Sequence, residues 1–116
     1  MEISKELLAF LLPEFIVNHF SFIKSKTIEE SLHLYFKEVN DKTIFKDVKV
    51  ESKGFYNEVT IEDFPLRGKL VYLHLKRRRW RDVVTKETLQ RDWEVIAKGT
   101  RMTEEFATFL KEINRY

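Results

Sequence analysis

The first apolar positions of the chain predict a short helix. After Ser4, a residue type that caps helix N-termini, the apolar residues fall on one stripe: Leu7, Leu8, Phe10, Leu11 and Leu12. Pro13 should end this helix or begin a second one, because proline has no N–H to donate and restricts the residue before it. We therefore expect a short N-terminal helix from Ser4 to Leu12, followed by another helical piece.

Alternation of apolar and polar positions predicts strands in the middle of the chain. Leu32, Leu34 and Phe36 alternate with His33, Tyr35 and Lys37, and this pattern indicates a strand that is joined to a preceding strand around Glu29–Ser31. Val59 and Ile61 indicate a further strand, and Pro65 with Gly68 supplies the turn chemistry of a hairpin. The strand that begins at Lys69 is expected to be long and to run on to Trp80.

The last third of the chain predicts a strand and a helix. Trp93, Val95 and Ala97 alternate with polar neighbours, and Gly99 follows them. Thr103 is the expected N-cap of a helix with Glu104 and Glu105 in its first turn and an apolar face of Phe106, Phe109, Leu110 and Ile113. We expect this face, with Phe109 in the core, to pack against the strand that contains Trp93.

These elements predict an α+β fold in one domain, residues 1–116. Antiparallel β hairpins would form a metal-free, ribbon-like sheet, with a short N-terminal helix and a C-terminal helix that covers one side of it. The length is typical of one domain, and a hydrophobic fraction of 43% with ten Phe is sufficient for a core. No apolar run approaches the ~18 residues of a membrane helix, and the start lacks the basic region of a secretion signal, so we expect a cytoplasmic protein without a membrane partner.

The residue types that carry metal and catalytic chemistry are sparse. Cysteine is absent, and His19, His33 and His74 do not fall at the short spacings that converge two imidazoles on a metal. No glycine-rich phosphate loop or nucleophile elbow is present. Glu62 and Asp63 are adjacent carboxylates, but neighbours on a strand point to opposite faces. We therefore expect no cofactor, no metal site and no catalytic activity in this chain.

Charge is concentrated in one part of the chain. The net charge is +2, yet residues 66–101 contain 11 Lys and Arg against four Asp and Glu. Within them, the segment Lys76–Arg81, here called the basic run, places five cations in six residues around Trp80. A local field of this kind attracts polyanions even when the whole molecule is nearly neutral.

The basic run predicts contact with nucleic acid. On a straight strand Lys76, Arg78 and Trp80 would share one face, and since the nearby acidic residues are too few to compensate buried Arg, we expect an exposed arm. Arg suits phosphate because its planar fork donates two parallel hydrogen bonds, and Trp80 would either stack on a base or cap the core. A solvated edge strand that blocks aggregation is the alternative. The predicted DNA-binding residues are Lys76, Arg77, Arg78, Arg79, Trp80 and Arg81, supported by Arg91, Lys98 and Arg101.

A resemblance to a known group of proteins is carried by three stretches: LLAFLLPEFIVNHF, GFYNEVTIEDFPLRGKLVYLHLKRRRWRD and QRDWEVIAKGTRMTEEFATFLKEINRY. Through them the chain resembles the short N-terminal-region proteins that are encoded ahead of the catalytic frame in certain bacterial insertion sequences with DDE-type transposases. More distantly, the turn with Asp63, Pro65 and Gly68 and the strand that follows it resemble the zinc ribbon that opens a related class of single-chain transposases. The cysteines of that ribbon are missing here.

The resemblance implies a function in DNA transposition and recombination. It implies that this chain is a non-catalytic DNA-binding and assembly region that recognises transposon ends, while a separate chain carries the catalytic Asp-Asp-Glu site. The segment from Thr103 to Arg115 would correspond to the helix that leads toward a helix-turn-helix. The alternative function is a protein-interaction subunit that docks the catalytic transposase chain or self-associates into a homo-oligomer.

Overall fold

The computed structural model describes residues 5–45, 47–89 and 103–113. Within these ranges the chain is α+β, as the sequence predicted, and its helices flank two mostly antiparallel sheets. The helices are α1 (Lys5–Leu11), α2 (Glu14–His19) and α3 (Glu104–Ile113), and a short 3₁₀ turn covers Lys42–Ile44. The strands are β1 (Phe20–Ile28), β2 (Ser31–Glu38), β3 (Val50–Phe55), β4 (Val59–Leu66), β5 (Lys69–Lys76), β6 (Arg78–Asp82) and β7 (Thr88–Leu89). None of the described helices is long and apolar enough to cross a membrane.

The two N-terminal helices are separated at Pro13, as expected. Pro13 has an extended backbone (ψ 138°), and its carbonyl oxygen accepts a 3.0 Å hydrogen bond from the Ile16 N–H at the start of α2. A proline fits this position because its missing N–H would have no partner in the first turn of the helix. Ser4, the predicted N-cap of α1, lies outside the described residues.

The larger sheet has the strand order β1-β2-β5-β4. Its two hairpins turn where the sequence predicted, at Glu29–Glu30 and at Arg67–Gly68, and both Arg67 (φ 50°) and Gly68 (φ 76°) adopt left-handed backbone conformations. The two hairpins join through β2 and β5, which are parallel and place Leu34 opposite Leu73. Hairpin patterns in a sequence predict pairing between neighbours in the chain, so this parallel junction was not predicted.

One face of the larger sheet forms the main core with all three helices. Phe106 of α3 is fully buried and packs edge to face on Phe15 of α2, with 5.5 Å between the ring centroids. Thr103 caps α3 as predicted: its hydroxyl oxygen accepts from the Phe106 N–H (3.2 Å) and its hydroxyl donates to the Glu62 carbonyl (3.0 Å). Phe109, which we expected in the core, is only partly buried at its margin.

The smaller sheet has the order β3-β6-β7 and contains most of the basic run. The prediction of one long strand from Lys69 was wrong, because β5 ends at Lys76 and β6 begins at Arg78. At Arg77 the chain leaves the larger sheet, and β6 then pairs with β3. The predicted strand around Trp93 lies outside the described residues.

Candidate nucleic-acid interface

The basic run does not form the exposed arm that we expected. Lys76 and Arg79 are exposed, but Arg77, Arg78 and Arg81 are half-buried, and Trp80 is 1% exposed. Arg78 to Arg81 therefore belong to the packed smaller sheet, Lys76 ends β5 of the larger sheet, and only some cations of the run are available to a ligand. Of the other predicted DNA-binding residues, Arg91, Lys98 and Arg101 lie outside the described part of the chain.

Trp80 caps the core, which is the second of the two roles predicted for it. Its indole N–H donates a 2.8 Å hydrogen bond to the carboxylate of Glu38, a residue that is itself 1% exposed, and Phe45 packs edge to face on the ring. The same carboxylate accepts from the Arg78 backbone N–H at 3.0 Å. Because the indole is buried and already packed, Trp80 does not offer a surface on which a base could stack.

Two arginines of the run, Arg78 and Arg81, donate hydrogen bonds to other groups of the protein. The Arg78 guanidinium donates to the Glu38 carbonyl oxygen and to the Ser52 hydroxyl, both at 2.9 Å. The Arg81 guanidinium pairs with Glu51, with 2.9 Å between Nε and the carboxylate, and this hydrogen bond lowers the pKa of Glu51. Glu38 and Glu51 lie 40 and 30 residues away in sequence from these arginines, so the acidic residues near the run in sequence did not indicate these partners.

Two further cations of the run, Arg77 and Arg79, and Lys37 of β2 lie near two consecutive aromatic residues, Phe55 and Tyr56. The guanidinium carbons of Arg77 and Arg79 lie 4.6 and 5.9 Å from the centre of the Tyr56 ring. The Lys37 ammonium lies 5.6 Å from the centre of the Phe55 ring. Cations near aromatic faces are attracted by the ring quadrupole, which orders long side chains without neutralising their charge.

These cations keep their positive charge available. Within the described residues, no ion pair involves Lys37, Lys76, Arg77 or Arg79. Burial lowers the pKa of Arg77, although a guanidinium remains charged in proteins, and its buried Nε has no hydrogen-bond partner among the described residues. Glu38 interacts favourably with the Arg77 charge, but no ion pair joins these cations to a carboxylate within the described residues, and positive charge of this kind attracts anions.

A second polar surface was not identified from the sequence. The face of the larger sheet that points away from the main core carries His33 and Tyr35 on β2 and Tyr72 and His74 on β5, and we call it the open face. His33 Nδ1 and His74 Nε2 are 2.8 Å apart. The alternating pattern predicted that His33 and Tyr35 share a face, but the parallel pairing of β2 with β5 is what brings the two histidines together.

Comparison with protein-family models, with curated proteins and with solved structures finds no match for this chain. Within residues 5–45, 47–89 and 103–113, no three His, Asp or Glu side chains are grouped so that they could hold a metal ion. The chemistry that these residues offer is therefore that of cations, aromatic rings and the histidine pair.

Proposed function

We propose that this chain binds nucleic acid through the cations around Phe55 and Tyr56. The observation that carries the proposal is the gathering of Lys37, Arg77 and Arg79 over these two rings, without an ion pair to any of them within the described residues. Exposed Lys76 lies opposite Lys37 in the larger sheet and adds a further charge. Arginine and lysine in this arrangement can contact several phosphates of one backbone.

The proposal narrows the set of residues that contact DNA. Arg78 and Arg81 already donate hydrogen bonds to protein oxygens, and Trp80 is buried, so we assign these three residues a structural role. Lys76, Arg77 and Arg79 remain as phosphate contacts, and Lys37 joins them. Because contacts to phosphate carry no base identity, they would position DNA rather than select a sequence.

We further propose, from the resemblance to insertion-sequence proteins, that the bound nucleic acid is transposon DNA. This chain would hold transposon DNA in the cytoplasm as a non-catalytic subunit, and a separate catalytic transposase chain would cut and join the strands. Arg91, Lys98 and Arg101 are further candidates for DNA contact in this proposal.

A second function is favoured by an apolar patch on α1. Phe10 is 88% exposed, and Leu7 and Leu11 are 49% and 41% exposed. Exposed apolar side chains that are this close together are typical of a protein-interaction surface. Docking of the catalytic chain or self-association through α1 is therefore the alternative, and it predicts an affinity that changes little with salt.

The test compares two double variants that remove the same charge. Lys76→Gln with Arg79→Gln removes two exposed cations of the basic run, whereas Lys69→Gln with Lys111→Gln removes two exposed cations at the far end of β5 and on α3. Duplex DNA binding is measured for both by fluorescence anisotropy at low salt. We expect the first variant to bind more weakly on every duplex sequence alike and the second to bind like the parent chain.

Equal affinities of the two double variants would contradict the proposal, because a loss that depends only on total charge needs no particular site. Circular dichroism of each variant separates loss of binding from loss of folding. Both changes in the first variant fall on exposed side chains without an ion pair in the described residues, so little effect on stability is expected.

A further inference from the structure

The open face of the larger sheet combines aromatic rings with cations. The rings of Tyr35 and His74 are nearly parallel, with 4.2 Å between their centroids, and His33 lies between His74 and Tyr72 at 5.1 and 5.0 Å. The four rings thus form one stack across β2 and β5. The Lys24 and Lys26 ammonium groups of β1 lie 4.9 and 5.8 Å from the Tyr35 ring centre, at one end of the stack, and both lysines are exposed.

The open face and the basic run adjoin each other. Lys37 on β2 pairs with Lys76 on β5, and these two residues follow Tyr35 and His74 on the same face. The ring stack is therefore bordered by the ammonium groups of Lys24 and Lys26 on β1 and by those of Lys37 and Lys76 at the ends of β2 and β5. The acidic residues Glu58 and Glu62 lie on the side of β4, away from β1, so the positive part of the face is the part formed by β1, β2 and the end of β5.

Hydrogen bonds fix the tautomers of both histidines. The Ser31 hydroxyl donates to the Ile28 carbonyl at 2.7 Å, so Ser31 accepts from His33 Nε2 at 3.2 Å. His33 Nδ1 then carries no proton and accepts from His74 Nε2. His74 Nδ1 is left as an acceptor for the Thr60 hydroxyl at 2.9 Å. Every polar atom in this chain of bonds is satisfied when both histidines are neutral.

The series of hydrogen bonds from Ser31 through His33 and His74 to Thr60 can accept one proton without losing a bond. A proton on His74 Nδ1 requires only that the Thr60 hydroxyl rotate, and Glu58, 3.7 Å from this nitrogen, stabilises the charge. A proton on His33 Nδ1 would instead face the His74 N–H and break the bond between the two rings. Burial lowers the pKa of His74, Glu58 opposes this shift, and His33 and Lys26 add to it. The lowered pKa disfavours protonation of His74, and a negative charge at the face would favour it.

We propose that the open face is a second nucleic-acid-binding surface, where backbone phosphates lie along Lys24 and Lys26 and binding is coupled to uptake of a proton by the His33–His74 pair. The groups that face this pair are consistent with the coupling. Lys26 repels the added proton, and a phosphate beside Lys26 would reduce that repulsion. Glu58 and Glu62 lie on the β4 side of the face. The two tyrosines of the stack lie nearly parallel to the neighbouring imidazole rings. The inference rests on the proposed function, since the same polymer occupies both surfaces.

The experiment measures affinity for a labelled oligothymidylate, whose bases do not titrate near neutral pH, between about pH 5.5 and pH 8 at constant ionic strength. We expect the parent chain to bind more tightly as the pH falls, by up to about tenfold per pH unit for one linked proton. His33→Gln with His74→Gln should remove this dependence. His19→Gln, which changes a histidine at the end of α2, should leave it intact.

Lys24→Gln with Lys26→Gln provides a test that does not depend on the buried histidine, because both lysines are exposed. We expect it to make the slope of log affinity against log salt shallower by about 1.4, since each phosphate contact on a single strand contributes about 0.7. If this variant and the histidine variant both keep the parent's affinity and pH dependence, while Lys76→Gln with Arg79→Gln still weakens binding, the inference is overturned and the proposed function stands. A parent chain that does not bind at low salt overturns both.

Discussion

The buried hydrogen bonds between Glu38 and Trp80 lead to a quantitative prediction about stability. The two carboxylate oxygens of Glu38 accept from different donors, the Trp80 indole N–H at 2.8 Å and the Arg78 backbone N–H at 3.0 Å. Glu38→Gln keeps the shape of the side chain but replaces one oxygen with an NH₂ group. One of the two donors would then meet another donor, and an unsatisfied buried donor costs about 1 to 3 kcal/mol.

Trp80→Phe removes the indole N–H from the same contact. A hydrogen bond to a charged group contributes about 1.5 to 3 kcal/mol, so we expect a loss of at least that size, with an added cost for the space left by the smaller ring. When both changes are combined, the NH₂ group introduced by Glu38→Gln no longer opposes the indole. The double variant should therefore lose less stability than the sum of the single variants, by about 0.5 to 3 kcal/mol.

Urea unfolding followed by far-UV circular dichroism measures these values. A loss of about 2 kcal/mol corresponds to a midpoint shift of roughly 1 M urea for a small domain, with an unchanged slope. Glu112→Gln, which changes an exposed carboxylate on α3, is the matched control and should shift the midpoint little. Strictly additive losses, or a Glu38→Gln midpoint equal to that of the control, would refute the assignment of these hydrogen bonds.

Three further predictions use thermal or urea unfolding. Phe106→Ala should cost about 3 to 5 kcal/mol because Phe106 is fully buried, and Phe109→Ala should cost clearly less, so a reversed order would contradict the packing of α3. Burial raises the pKa of Asp63, so the folded state favours its neutral form. Asp63→Asn should therefore stabilise the protein at neutral pH, with a gain that disappears on acidification as the carboxyl becomes protonated; a loss at neutral pH would contradict this. Thermal melts with and without a strong chelator should superimpose, and a lower transition with chelator would indicate a structural metal.

Local patterns predicted the helices and hairpins because the signals for them lie within a few residues of one another. Pro13 separates two helices, Thr103 caps α3, and Gly68 adopts the left-handed conformation that its turn requires. Local patterns could not predict contacts between segments that are distant in sequence. The parallel pairing of β2 with β5 joins strands that no turn connects, and it alone brings His33 to His74.

The contacts of the basic run also depend on distant segments that its sequence pattern did not predict. The sequence identified its charge, but the oxygens that bind the Arg78 and Arg81 guanidinium groups come from β2 and β3, so the predicted exposed arm was wrong. The break at Arg77 also has a long-range cause, because β6 leaves the larger sheet to pair with β3. Alternation along one strand could show which residues share a face, but not which sheet that strand would join.

The dependence of duplex DNA affinity on salt tests the central claim most directly. If Lys37, Lys76, Arg77 and Arg79 each contact a phosphate, log affinity should fall with log salt with a slope of about −3.6, since each contact contributes about −0.9. Lys76→Gln with Arg79→Gln should reduce the slope to about −1.8 on the same scale, because two of the four contacts remain. A slope near zero for the parent chain, or a slope that this variant leaves unchanged, would contradict nucleic-acid binding through these cations.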